Sequence, residues 1–320
     1  MKRMLAPILA LVAGLVYSSG SSATEAIRLV MPFAAGSATD ALTRVIADEL
    51  ETGLGRAVVV ENRTGAAGRV GVQAVKSAAP DGATLLFTPI APMAVYQHVY
   101  PALGYDPVQD FEPVSQVATF DFAVAVGADI PADSLSSVVE WLKAHPERAN
   151  YGTPGAGTLP HFFAVLFGRE TGLDLRHVPY RGTSAAVNDL LAGQLPMLFT
   201  NTGELLELHK AGRIRILATS STSRSPFLPL VPTFQEAGYA IAGAGWHGVF
   251  APRGTPADVL DRFNQLITAA LQKEQVKERV IAMGFEPTGT SRARLAEILN
   301  RDAAMWAPAV KAARFTPDQQ

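Results

Sequence analysis

The stretch "IRLVMPFAAGSATDALTRVIADEL", residues 27–50, joins an apolar run to a helical pattern through a turn of small residues. Leu42, Val45, Ile46 and Leu50 recur at the spacing that places them on one face of a helix. The unit repeats along the chain. "AVVVEN" passes through "RTGAAG" into "RVGVQAVKSAA", and Pro80-Asp81-Gly82 then turns the chain into "ATLLF". Alternation of strand and helix implies a parallel sheet with helices on its faces.

The middle of the chain follows the same scheme. "RANYG" precedes "TPGAGT" and a helix from Leu159; "LRHVPY" precedes "RGTS" and "AAVNDLLAG"; "QLPMLF" precedes "TNTG", "ELLELHKAG" and the strand "RIRILATS". Gly193 and Gly212 stand where helix C-terminal caps belong. Near the end, Val259, Leu260, Phe263, Leu266, Ile267, Ala270 and Leu271 recur at helical spacing, and a last helix begins near Ser291. The longer strands "FDFAVAV" (120–126) and "GWHGVFAP" (245–252) flank the middle block and read as crossings between domains. The expected organisation is α/β with two doubly wound domains and a cleft between them. A discontinuous first domain spans 24–124 and 246–320, and a second spans 125–245.

Residues 1–23 read as an export leader. Lys2 and Arg3 precede the apolar run "MLAPILALVAGLVY", and Ser21 and Ala23 occupy the −3 and −1 positions of a small-residue cleavage site. Removal after Ala23 and a periplasmic location are expected. The chain has 320 residues, 48% hydrophobic and 18% charged, which is enough for two cores. It has no cysteine, so neither a lipid-anchored leader nor a disulfide framework is available. The net charge is −2 with no basic tract, which argues against a nucleic-acid partner.

The turn itself has two readings. Ser37 and Asp40 have the spacing of a capping box, with Ser37 accepting a free amide and Asp40 reaching back to the N–H of the cap. Within this turn, which runs from Phe33 to Asp40, Ala34, Ala35 and Gly36 leave the backbone uncovered at the positive end of a helix dipole, where anions bind. Gly155, Ala156, Gly157 and Thr158 repeat this character before the helix at Leu159, with Thr158 as N-cap and Pro160 tolerated in the first turn. In parallel α/β sheets such loops gather at the carboxyl ends of the strands, where ligands settle. Amides and hydroxyls with almost no lysine suit a small carboxylate better than a polyphosphate.

Further candidates complete the site. Pro89 and Ile90 follow the third strand, and Thr183 lies in "RGTS". Arg181 either grips a ligand carboxylate in bidentate fashion or forms an ion pair. Asn201 either offers its amide to the ligand or shapes a turn. Trp246 reads as interdomain packing, and His161 as a residue with a structural hydrogen bond. His98, His145, His177 and His209 read as surface or core-edge residues. No cofactor or metal is expected. "GAGTLP" has Pro160 in place of the third glycine of a dinucleotide fingerprint, "GAAGRVG" has the wrong spacing, and no phosphate-binding P-loop, G-x-S-x-G or H-E-x-x-H occurs.

The motifs "PFAAGSATD", "VVVENRTGAAGRVG", "APDGATLLF", "YDPVQDFEPVSQVA", "NYGTPGAGTLPHF", "VPYRGTSAAVNDLLAGQ", "VPTFQEAGY" and "WHGVFAPRGTPADVLDRFN" follow in order from Ile27 to Trp306. Together they resemble the tripartite tricarboxylate transporter receptors, also called the Bordetella uptake gene family. The resemblance implies a periplasmic binding protein of type II-like fold, monomeric, that closes on a small carboxylated solute. It would deliver that solute to a membrane permease with a large and a small subunit. It also implies that the loop Phe33–Asp40 holds one ligand carboxylate through backbone groups and bridging waters, while Gly155–Thr158 approaches from the other domain.

The chain departs from that pattern at four places. Ala35 replaces a proline and Ser37 a second glycine, so a hydroxyl is added to the first loop. Thr200-Asn201 stands where the family often has Asp-Asn, which points away from an amino-acid ligand. His247 replaces an aromatic residue and would add a pH-sensitive donor to the cleft. Two other readings are a secreted enzyme with Asp40 or His161 as acid or base, and a sensor that presents its liganded form to a membrane kinase.

Overall fold

The computed structural model describes residues 26–180 and 182–313. The leader over 1–23 and the candidate Arg181 lie outside the described residues. In chain order, β1 (Ile27–Met31) leads to α1 (Ala38–Leu54), β2 (Val58–Asn62) to α2 (Arg69–Lys76), and β3 (Thr84–Pro89) to the short α3 (Tyr96–Val99). Then β4 (Phe111–Phe120) and β5 (Phe122–Gly127) follow with one residue between them. Next come α4 (Leu135–Ala144), β6 (Asn150–Thr153), α5 (Leu159–Thr171), β7 (Arg176–Pro179), α6 (Thr183–Leu191), β8 (Met197–Asn201), α7 (Leu206–Lys210) and β9 (Ile214–Thr219). The chain ends with β10 (Gly245–Pro252), α8 (Ala257–Ala270), α9 (Glu274–Ala282), β11 (Glu286–Pro287) and α10 (Arg292–Ala313).

These strands form two sheets, one ordered β11-β4-β10-β3-β1-β2 and the other β7-β6-β8-β5-β9. Strands joined through helices are parallel, as expected: β1 with β2 and β3, and β6 with β7 and β8. The seam strands run the other way. β10 is antiparallel to β3 and β4, and β5 to β8 and β9. A parallel neighbour needs a long crossover, whereas β5 arrives straight from the other sheet, one residue after β4. Each sheet is therefore mixed rather than purely parallel.

The core follows from the patterning. Leu29, Met31, Leu85, Leu86 and Phe87 are fully buried, and α1 covers them with Leu42, Val45, Ile46 and Leu50. Each such side chain contributes about 1.5–3 kcal/mol on burial. Leu260, Phe263, Ile267 and Leu271 of the α8 region are buried in the same core, as their spacing predicts. Trp246 departs from its reading. It is buried beneath α10, where Nε1 donates to the Asp302 carboxylate at 2.8 Å, and so packs between α10 and the sheet that contains β10. The tryptophan at the seam is Trp306, whose ring meets Phe163 of α5 edge-on at 5.3 Å.

The seam between the sheets is narrow. On one side it is Asp121, between β4 and β5; the sequence-read boundary at 124/125 falls inside β5, three residues further on. On the other side it is the segment 220–244. Ser220 ties the two together, because its Oγ accepts the Phe122 N–H at 3.0 Å and donates to the Gly243 carbonyl at 2.6 Å. The Asp121 carboxylate accepts a hydrogen bond from the Ser221 hydroxyl, and burial pushes its pKa upward.

Candidate functional site

The loop after β1 is shaped by its own side chains. Gly36 has φ of +88°, a left-handed conformation natural to glycine, whereas Ser37 has φ of −86° and carries a side chain without strain. This is why the family's second glycine is dispensable here. Ser37 is the N-cap of α1, and its Oγ accepts the Asp40 N–H at 3.1 Å. Asp40 does not close the box on the cap's own amide. Its Oδ2 accepts the N–H of Gly36 at 3.1 Å, one residue earlier, because Gly36 turns its amide inward.

Asp40 is then held from two more sides. Asn62 ends β2, and the parallel register pairs it with Met31, which places its side chain beside the loop. Asn62 Nδ2 donates to Asp40 Oδ1 at 2.8 Å and to the Phe33 carbonyl at 3.1 Å. Arg44, one turn along α1, donates to both Asp40 oxygens at 3.1 and 3.2 Å. Burial alone would push the Asp40 carboxyl up, but the hydrogen bonds from Asn62, Gly36 and Arg44 outweigh it and hold the pKa below the ordinary value. Behind the loop, a Cβ on Gly71 would stand 2.7 Å from the Arg63 carbonyl and 2.9 Å from Pro32. The "GAAGRVG" motif thus serves close packing of α2 against this loop.

The loop after β6 is built similarly. Thr158 occupies the N-cap position of α5, but its hydroxyl donates to the Gly155 carbonyl at 2.6 Å and does not cap a helix amide. Thr153 Oγ1 donates to the same carbonyl at 3.0 Å. The Gly157 N–H donates to His161 Nδ1 at 3.1 Å, which confirms a structural hydrogen bond for this histidine. His161 and His177 are stacked with centroids 4.1 Å apart. Burial pushes His161 down to about 4; burial, and then the neighbouring His161, pushes His177 down to about 3. Both are neutral at physiological pH.

A cavity of about 560 Å³ lies between the two loops. Its wall includes Phe33, Ala34, Ala35, Gly36 and Ser37 from the first loop, Gly155, Ala156 and Thr158 from the second, and Pro89 and Ile90 at the end of β3. Thr183 at the start of α6 and Asn201 at the end of β8 complete the sequence-read residues on it. Three helices thus begin on one cavity, each with first-turn amides that have no acceptor within the helix. Among the described residues on the wall there is no lysine, arginine or histidine.

Asp40, Gly157 and His247 are not on that wall. The first two hold the loops from behind. His247 is fully buried on β10 among Phe87, Phe120 and Phe285, at centroid distances of 5.7, 4.7 and 4.8 Å, with Nε2 and Thr39 Oγ1 3.1 Å apart. Burial pushes its pKa down to about 3. The expectation of a pH-sensitive donor in the cleft is therefore corrected, since strand alternation turns the ring into the core. The acid or base roles raised for Asp40 and His161 meet the same obstacle, because neither faces the cavity.

Several wall residues carried no motif in the sequence. Ala67 lies in the "GAAG" turn with φ of +55°, and Tyr96 and Ala91 follow β3. Phe120 and Phe122 flank Asp121 at the floor, and Glu204 stands just beyond β8. The alternation in "TFDF" is the one signal that would have placed Phe120 and Phe122 on the same side. No group of histidines and carboxylates among the described residues could hold a metal ion, and no described helix is long and apolar enough to cross a membrane.

Comparison with known proteins gives a consistent result. The sequence profile of the tripartite tricarboxylate transporter family receptor matches residues 42–314. The chain is 33% identical to the protein BugT of Bordetella pertussis, over 89% of this chain and 88% of that protein. Among solved structures, it resembles an R. palustris protein solved with adipate, at 31% identity and a TM-score of 0.85, covering 91% of this chain and 97% of that one. It also resembles MatC of Rhodopseudomonas palustris with bound malate, at 28% identity and a TM-score of 0.81, covering 89% and 98%.

Proposed function

The chain belongs to the tripartite tricarboxylate transporter receptor family, and on that premise we propose that it captures a small carboxylated solute in the cavity between its two sheets. The observation that carries this reading is the meeting of three helix starts, α1, α5 and α6, on one wall that has no cationic side chain among its described residues. Backbone amides and hydroxyls at helix N-termini stabilise an anion without a formal counter-charge. The volume fits a metabolite-sized ligand.

The residues proposed to contact the ligand are the backbone groups of Ala34–Ser37, Gly155, Ala156 and Thr158, with the side chains of Ser37, Thr183 and Asn201. Asp40 and Asn62 would act as positioning residues that keep the first loop in shape. The two halves, divided at Asp121 and within 220–244, would close by bending at that seam. A ligand that touches both loops binds the closed form better than the open one, and only this difference in affinity can shift the population. The liganded form would then be offered, outside the cytoplasm, to the large and small subunits of a membrane transporter. Binding and release, with no bond made or broken, account for the wall as built.

The test is a thermal-shift screen of the unfolded and refolded protein against mono-, di- and tricarboxylates, with alcohols and amines of matched size as controls. A ligand at 100 times its Kd adds about 2.7 kcal/mol, a rise of several degrees in Tm. Shifts confined to carboxylates support the reading, and shifts with the alcohol or amine controls alone overturn it. Mass spectrometry of the recovered solute should show it chemically unchanged.

A further inference from the structure

Glu204 stands on the cavity wall at the turn that follows β8. The turn is fixed in place. The Thr202 N–H donates to the Asp121 carbonyl at 2.9 Å, and Gly203 is packed so closely on the α9 end that a Cβ there would lie 2.6 Å from the Met283 carbonyl. Among the described residues no hydrogen bond or ion pair engages the Glu204 carboxylate, and burial pushes its pKa upward. It is also the only carboxylate on the described wall.

Resting on the receptor reading above, we propose that Glu204 determines specificity by selecting a carboxylate whose other end carries a cationic hydrogen-bond donor, an ammonium group, over a ligand with a second carboxylate there. A wall that holds one anion through helix starts and presents another carboxylate elsewhere is complementary to a zwitterion. A second ligand carboxylate beside Glu204 would need a shared proton or suffer like-charge repulsion in a partly desolvated site. An ammonium instead forms a charge-assisted pair there. The proposal runs against the expectation drawn from Thr200, a residue buried off the described cavity wall with its Oγ1 3.1 Å from Thr183 Oγ1, whereas Glu204 is on that wall.

The experiment is calorimetric titration of the refolded protein, and of Glu204→Gln, with matched series of four, six and eight carbons. The probes are butanoate, succinate and 4-aminobutanoate; hexanoate, adipate and 6-aminohexanoate; and octanoate, suberate and 8-aminooctanoate. At the length that binds best, the wild type should prefer the amino acid to the diacid by about tenfold or more, the size of a close charge-pair effect. Glu204→Gln should reduce that preference to within about threefold, mostly by tightening the diacid. A thermal melt of the unliganded variant checks that folding is kept. A diacid preferred by the wild type, or a ratio unmoved in the variant, overturns the role of Glu204 and leaves the receptor reading intact. Failure of all nine carboxylates to bind overturns the receptor reading and this inference together.

Discussion

The Asp40 carboxylate accepts the backbone N–H of Gly36 at 3.1 Å, four residues earlier, so a side chain inside α1 sets the conformation of the loop that precedes the helix. Replacing Asp40 with alanine leaves Asn62, Arg44 and the Gly36 amide without their shared acceptor. The expected loss of stability is about 1.5–3 kcal/mol, the range for hydrogen bonds to a charged group. Urea unfolding gives the stability, and titration with a carboxylate found in the screen gives the binding. A variant that binds at full strength would show that the loop keeps its shape without Asp40.

The same group contributes to acid sensitivity. Its folded pKa lies below the ordinary 3.8, so its stabilisation is fully present above that value and is lost as the pH falls through the depressed one. Loop order, read by amide protection of Ala34–Ser37, should therefore survive at pH 5 and be lost only once the pH has fallen below 3.8. Loss already at pH 5 would contradict the depressed value.

Histidine burial acts at higher pH. His247 is neutral when folded down to about 3, but takes up a proton near 6.5 when unfolded. Between these values the unfolded chain binds more protons, so stability falls on acidification by up to about 1.4 kcal/mol per pH unit from this group. His247→Phe suits the surrounding aromatic rings and should lower the slope by close to one proton between pH 6 and 4, with little change at pH 7.5. Chemical denaturation across that range checks it, and an unchanged slope would mean that His247 protonates within the fold.

Two glycines near the first loop should fail for different reasons. Gly36→Ala meets no neighbouring atom within 4 Å, so its cost is the left-handed backbone alone, about 1–2 kcal/mol. Gly71→Ala drives a methyl against the Arg63 carbonyl and Pro32. The cost should reach the upper part of the roughly 1–3 kcal/mol range for overpacking, because a backbone atom cannot step aside. Only the second should displace Pro32 and Phe33, which chemical shifts of that segment would report.

At the seam, Ser220→Ala removes the acceptor of the Phe122 N–H and the donor to the Gly243 carbonyl. The buried amide is left unpaired at a cost of about 1–3 kcal/mol. Small-angle scattering with and without ligand tests the seam as the hinge. A variant with the same difference between liganded and free forms as the wild type would place the bending elsewhere.

Local chemistry explains what was readable from the residues alone. Apolar periodicity located α1 and α8, because a helix that buries one face must repeat its apolar residues at the period of the helix. Small residues before helix starts marked the two loops, since an uncovered amide needs neighbours without bulk. The motifs from Ile27 to Trp306 carried the family. These signals lie within a few residues of one another, and a single chain displays them.

Tertiary structure decided the rest, because it depends on which distant residues meet. His247 and Trp246 sit on a strand whose two faces look alike in sequence, and only the packing of β10 between β3 and β4 shows that His247 enters the core. Asn62 reaches Asp40 through the parallel register of β1 and β2, a relation across 22 residues that no local pattern encodes. Phe120, Phe122 and Glu204 become wall residues only when two sheets face each other across Asp121. Local patterning marked the repeated strand–loop–helix units, the small-residue loops and the family, but not the break at Asp121 that divides the stretch read as one strand over 120–126 into the end of β4 and the start of β5. The pairing of strands and the apposition of the two sheets determined which side chains share the cavity, because burial and facing are properties of the assembled layers rather than of the chain.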